Sequence, residues 1–397
     1  MYRIVNKKKL LATRIADFFG RLVFAPFGGG REPSPVDPEA VRSILVVRTA
    51  YIGDVVMTTP MLGPLRRRFP HARLSFLTSR ASAEVLSGNP DVDEILTYDP
   101  FWFYPSSPKA AYVDYLRRFG GRRFDLVIEA RGDIRELLLL VSPLRARYKV
   151  GYGVGGGAYL LSHVTPHPAV NHRVDYHLDI ARFLGARVDL DNLRWGLRLA
   201  PEELDAAGAL LRQAGASGDY CCLHPGSRLA FKRWDADKYA QVGDVLAREY
   251  GLTPVVLGAP DETAAAARVA AAMGAASINL AGRLGLRQMG AVLAGAKLFV
   301  CNDSAPMHIA AALGTPTVAV FGPSKSNETG PWSAKARVVE LDFPCRRDCD
   351  ETSCRFERTN ACMREVDAQR VLASARELLG PSSAAGGSPG RNLREPR

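Results

Sequence analysis

From residue 42 onward the chain alternates short runs of branched apolar residues with stretches whose apolar positions recur every three or four residues. Runs at 44–48, 73–78 and 125–129, then 220–224, 253–257, 298–301 and 317–321, predict buried strands. The segments 55–69, 81–87, 135–141, 175–184, 202–214, 235–250, 262–273, 287–294 and 306–313 predict helices between them. Strands alternating with helices imply α/β domains with parallel sheets covered on both faces. The alternation pauses across 186–201, so the expectation is two doubly wound parallel-sheet domains, 42–195 and 200–380, facing a central cleft. Such sheets bind ligands beyond the carboxyl ends of their strands. The loops after Val47, Leu223, Leu257, Cys301 and Phe321 are therefore where chemistry is expected.

The two ends read differently. Within residues 1–30, Ile4, Leu10, Leu11, Ile15, Phe18, Phe19 and Leu22 fall on one side of a helix. Arg3, Lys7, Lys8, Lys9, Arg14 and Arg21 surround that side, and Asp17 is its only acid. A basic amphipathic helix suits an anionic membrane surface. Packing on its own domain with a solvated basic face, or disorder, accounts for the same pattern. "GGGREPSPVDPE" is a linker, and 381–397 reads as a disordered tail.

The bulk numbers narrow the function classes. The chain has 397 residues, 47% hydrophobic and 23% charged, as a globular protein of two or three domains does. Net charge is +11, which favours an anionic partner. The cations are spread along the chain without an aromatic–basic module, which argues against nucleic acid. No run reaches the roughly 18 apolar residues of a membrane span, and no secretory leader is recognisable. Seven cysteines argue against a disulfide framework, so the expected location is cytoplasmic.

Four loops carry candidate chemistry. In "RTAYIGDVVMTTP" a helix starts near Asp54, whose carboxylate is either a helix cap or a base at the mouth of a cleft. In "HPGSRLAFKRW", Ser227 lies near two cations, Lys232 and Arg233, which are either a phosphate site that lacks the P-loop spacing or two solvated surface charges. In "NDSAPMHIAAALGTP", Asp303, Ser304 and Ala305 sit at a helix N-terminus suited to a diphosphate. His308, on the same face one turn later, is either a structural histidine or a ligand contact. Asp261 or Glu262, after "VVLGAP", either caps a helix or accepts from ribose hydroxyls. No G-x-G-x-x-G fingerprint follows the first strand, which disfavours a dehydrogenase. Cys345, Cys349, Cys354 and Cys362 are spaced more loosely than zinc signatures; reduced thiols, a metal site and disulfides are all compatible with them.

In order and spacing, "RTAYIGDVVMTTP", "HPGSRLAFKRW", "NLAGRLGLRQMGAVLAGAK" and "NDSAPMHIAAALGTPTVAVFGPS" resemble the lipopolysaccharide heptosyltransferases, glycosyltransferase family 9. The resemblance spans about 42–380 and includes the cysteine-bearing tail. It implies a GT-B fold of two Rossmann-like domains, the first binding acceptor and the second nucleotide sugar. It also implies inverting transfer of heptose from ADP-heptose to a lipid A–Kdo type acceptor, peripherally at the cytoplasmic face of the inner membrane, with no cofactor or metal. By the same resemblance Asp54 is the general base, Lys232 neutralises the diphosphate, and Asp303 and Ser304 form the donor-contacting turn, with His308 on the helix behind it. Ser227, Glu262 and Ala305 are further donor-binding candidates from the residues themselves, and Gly226-Ser227 stands where some members of the family carry hydroxyl residues. The same fold acting on another nucleotide sugar or glycan is the alternative.

Overall fold

In a computed structural model of the chain, residues 7–28, 35–167, 172–349 and 351–381 are described. The tail expected over 381–397 therefore lies outside the described residues apart from Pro381, as do half of the linker, 29–34, and residues 1–6 with Arg3 and Ile4 of the expected basic helix. The chain divides into two compact units. The first takes residues 1–200 with 325–332 and 347–353, and the second takes the rest.

The first unit is built on a six-stranded parallel sheet: β1 (Ser43–Val47), β2 (Arg73–Thr78), β3 (Glu94–Thr97), β4 (Arg123–Glu129), β5 (Arg145–Gly151) and β6 (His163–Val164), in the order β3-β2-β1-β4-β5-β6. The second unit repeats the plan with β7 (Tyr220–His224), β8 (Thr253–Val256), β9 (Ile278–Asn279), β10 (Leu298–Asn302), β11 (Thr317–Phe321) and β12 (Ala336–Glu340), ordered β12-β11-β10-β7-β8-β9. Central strands are apolar nearly throughout because helices cover both faces: every residue of β10 and β11 is buried. The outer strands β3, β5, β6, β9 and β12 escape the apolar-run criterion. They are short or, like "RARYKVG", carry charges on a partly exposed edge. Helices at Ala111–Phe119 and Ala368–Leu379 were likewise not expected from the pattern.

In each sheet the chain winds outward in one direction and then restarts on the other side of its first strand. Those restarts place switch points between β1 and β4 and between β7 and β10. At their carboxyl ends Val47 pairs with Glu129, and Cys301 with His224. Crevices for ligands form at such points.

The helix Lys7–Gly28 rests on the first unit with an unusual polarity. Its inward face is polar: Thr13 and Asp17 are buried, and the Asp17 carboxylate accepts the Gly157 N–H at 2.7 Å. A Cβ at Gly156 would meet Thr13 at 2.6 Å, so a glycine there, held at φ +93, makes the close seat. The apolar residues Leu11, Ile15, Phe18, Phe19, Leu22 and Val23 face outward, each at least half exposed. The helix does pack on its own domain, but the solvated face is apolar as well as basic. Among the described residues no helix is long and apolar enough to cross a membrane.

Candidate functional site

At the first switch point, β1 ends and the backbone turns sharply at Tyr51 into the helix Ile52–Thr58. Tyr51 holds φ +45, a conformation costing a side-chain-bearing residue about 1–3 kcal/mol. Tyr104 supports that turn: its hydroxyl receives the Tyr51 N–H at 3.2 Å and donates to the Thr49 carbonyl at 3.2 Å. Tyr51, not Asp54, occupies the cap position. Asp54 lies inside the first turn, one-quarter exposed, and its Oδ1 is 2.9 Å from Nη2 of the buried Arg48.

Two fully buried carboxyls lie behind this pair. Glu129 ends β4 and accepts the Gly132 N–H at 2.6 Å and the Arg131 N–H at 3.1 Å. Glu136 accepts the Thr49 hydroxyl, and its second oxygen has no hydrogen-bond partner among the described residues. Burial, then the neighbouring Glu136, push the Glu129 carboxyl well above its usual range, which favours its protonated form. Burial would pull the Arg48 guanidinium down, but Asp54, Glu136 and Glu129 outweigh it and raise it. Buried His177 beside Arg48 is driven well below the ordinary histidine value by desolvation and then by that cation, so it is neutral. The result is one surface-reaching carboxylate braced by one buried cation. Tyr104 also lines a cavity of about 950 Å³, with Arg80, Asp99, Asp114, Arg117 and Arg118 on its wall.

At the second switch point Asn302 is the organiser. Fully buried at the end of β10, its Oδ1 accepts the Trp234 N–H at 3.1 Å and the Tyr239 hydroxyl at 3.0 Å. Its Nδ2 donates to the carbonyls of Pro225 at 2.9 Å and Gly226 at 3.2 Å. One amide thus ties the loop after β7 to the loop after β10. Trp234 is anchored in the core, its indole N–H donating to the Val366 carbonyl at 2.9 Å.

On this frame Lys232 Nζ donates to Asp303 Oδ2 at 2.7 Å, and the Ser227 hydroxyl donates to the Asp303 carbonyl at 3.0 Å. Ser304 caps the helix Ala305–Leu313 by position, but its hydroxyl makes no cap hydrogen bond. It approaches the Asn302 carbonyl at 3.3 Å and His224 Nδ1 at 3.5 Å. His224 Nε2 lies 3.1 Å from Glu262 Oε2, which also accepts the Ala259 N–H at 2.9 Å. Burial opposes ionisation of Glu262, but the contacts from His224 and the Ala259 N–H prevail and hold its carboxyl below the usual range. His308 is buried on the helix itself.

The second unit therefore gathers Ser227, Lys232, Glu262, Asp303, Ser304 and Ala305 around one loop cluster, with His308 one turn into the helix. Sequence reasoning missed His224, Asn302, Arg48, Glu129 and Glu136 as structural partners. A carboxylate closing the apolar run "LVIE" was a readable signal for Glu129, because strand ends were the places of interest. Among the described residues no cluster of histidine, cysteine or carboxylate side chains is arranged to hold a metal ion.

A sequence model of glycosyltransferase family 9 (heptosyltransferase) matches residues 113–359. Lipopolysaccharide heptosyltransferase 3 of Escherichia coli is 28% identical over 347 residues, covering 85% of this chain and 99% of that protein. Among solved structures, the family 9 glycosyl transferase of Veillonella parvula superposes with TM-score 0.71 at 23% identity, covering 85% of this chain and 97% of that one. The E. coli ADP-heptose lps heptosyltransferase II gives TM-score 0.66 at 24% identity, with 85% and 98% covered. Both likenesses are to glycosyltransferases, and with its two six-stranded parallel sheets the chain has a two-domain GT-B-like α/β fold. With its family model matched over more than half its length, the chain belongs to glycosyltransferase family 9, the heptosyltransferases, and is a glycosyl-transferring enzyme.

Proposed function

We propose that this enzyme transfers heptose, with inversion, from ADP-heptose to the inner core of a lipid A–Kdo type lipopolysaccharide. The relatives' names support that donor and acceptor. The observation that carries the mechanism is the Arg48–Asp54 pair at 2.9 Å: a partly exposed carboxylate held at the carboxyl end of β1 by a buried cation. An acceptor hydroxyl attacks the anomeric carbon as the bond to the diphosphate breaks. Its proton passes to Asp54, and the electron pair leaves with ADP. Lys232 and the N–H groups opening the helix Ala305–Leu313 stabilise the negative charge that develops on that leaving group. Asp303, bonded to Lys232 at 2.7 Å, positions the ammonium rather than meeting phosphate. Ser227 and Ser304 fix the turn, and Glu262, braced by His224, is the ribose-facing acceptor, with His308 behind it. The cavity beside Tyr104 takes the acceptor sugar, with Arg80, Arg117 and Arg118 and the carboxylates of Asp99 and Asp114 on its wall to hydrogen-bond its hydroxyls. The lipid acceptor places the enzyme peripherally on the cytoplasmic face of the inner membrane.

The test compares wild type with Asp54→Asn, using ADP-heptose and solubilised acceptor. Loss of a general base lowers kcat by about 10²–10⁴-fold, while ADP binding is retained. Full turnover by the variant rejects Asp54 as the base.

A further inference from the structure

The helix Lys7–Gly28 presents to its surroundings the face that a helix in a globular protein normally hides. Leu11, Phe18, Phe19, Leu22 and Val23 are each about 60% exposed and Ile15 is 50% exposed. Successive positions 11, 15, 18 and 22 lie on one stripe. Arg14 and Arg21 are exposed along one flank of it. The only acid in the helix, Asp17, is buried on the opposite side against Gly157. The seat is specific: besides Asp17 and Thr13 over Gly156 and Gly157, Gly20 lies so close to Tyr159 that a Cβ would meet its hydroxyl at 2.1 Å. A helix docked through its polar face leaves its apolar face to be covered by something else.

We infer that this helix is an in-plane anchor that seats the first unit on an anionic lipid surface, with its apolar stripe among the acyl chains and its arginines at the headgroups. Charge decides the occupant. Between residues 10 and 23 the outward surface carries cations and no carboxylate, because Asp17 is turned inward. A second copy meeting this face would bring arginines without acids to pair them. Anionic headgroups pair with them and accept the apolar stripe together. Such an anchor rests on the proposed reading for its purpose, a lipid acceptor, and on the helix alone for its geometry.

Flotation of the full chain with vesicles of phosphatidylglycerol and phosphatidylcholine, and of phosphatidylcholine alone, tests it. Wild type partitions onto the mixed vesicles. The double variant F18D/F19D loses at least about tenfold in partition, and R14E/R21E loses partition on the mixed vesicles but not on the neutral ones. All these side chains are exposed, so an unchanged thermal response to ADP verifies the fold of each variant. Equal partition of wild type and F18D/F19D overturns the anchor. So does a wild type that ignores both vesicles and sediments as a dimer, with F18D/F19D sedimenting as a monomer. Failure of wild type to respond to ADP strikes the proposed function and leaves the anchor standing.

Discussion

Asp54 does not cap its helix; Tyr51 holds that position at a strained φ, and Asp54 pairs with Arg48. That arrangement depends on the charge state behind it. A protonated Glu129 leaves Arg48 to compensate fewer buried anions. Because the Glu129 carboxyl is raised in the fold, the folded protein keeps a proton that the unfolded chain has already released above the ordinary carboxylate range. Stability from this group therefore falls as pH rises toward the raised value. Glu129→Gln removes the titration, so its melting temperature declines less from about pH 5 to pH 8 than that of wild type. Parallel declines in the two proteins would assign the buried proton to another group. The residue types at this site were visible in the sequence. Its pairings were not, because Arg48, Glu129 and Glu136 meet only when β1 and β4 lie side by side.

Among the elements, the loops after β7 and β10 act as one piece because the buried Asn302 amide joins them, alongside the bonds of Lys232 and Ser227 to Asp303. Asn302→Ala would leave the Trp234 N–H, the Tyr239 hydroxyl and two loop carbonyls without their shared partner. Each buried orphan costs about 1–3 kcal/mol, so urea unfolding reports a loss of at least about 3 kcal/mol. ADP binding weakens with it, because Lys232 and Asp303 are positioned from this frame. A midpoint within error of wild type would mean that the loops hold themselves. The central strands were legible as apolar runs, since burial on both faces demands them. The outer strands were not: β5 and β12 owe their conformation to the neighbour they pair with rather than to their own pattern. The helix Lys7–Gly28 was legible by its periodicity, but the direction of its apolar face was decided by Asp17 finding the Gly157 N–H.

At the scale of the whole molecule, a net charge of +11 and two parallel sheets with a switch point each suit anionic substrates. A ligand that binds only the native state raises its melting point. ADP at about a hundredfold over its Kd is expected to add about 2.7 kcal/mol, a rise of about 5–10 °C for units of this size. UDP at the same concentration adds less; a larger rise with UDP would remove ADP-heptose as donor. The sequence by itself determined the α/β class, the pause between the units and the loops that carry Asp54, Lys232 and Asp303. Apolar periodicity and strand-end position are local properties, and the order of the motifs resembles one family. Only the tertiary structure decided the order of strands, and with it which loops become neighbours. It also paired Asp54 with Arg48 and Lys232 with Asp303, and turned the apolar face of the first helix outward. These outcomes depend on groups distant in sequence competing for the same partners, which no stretch of the chain records alone.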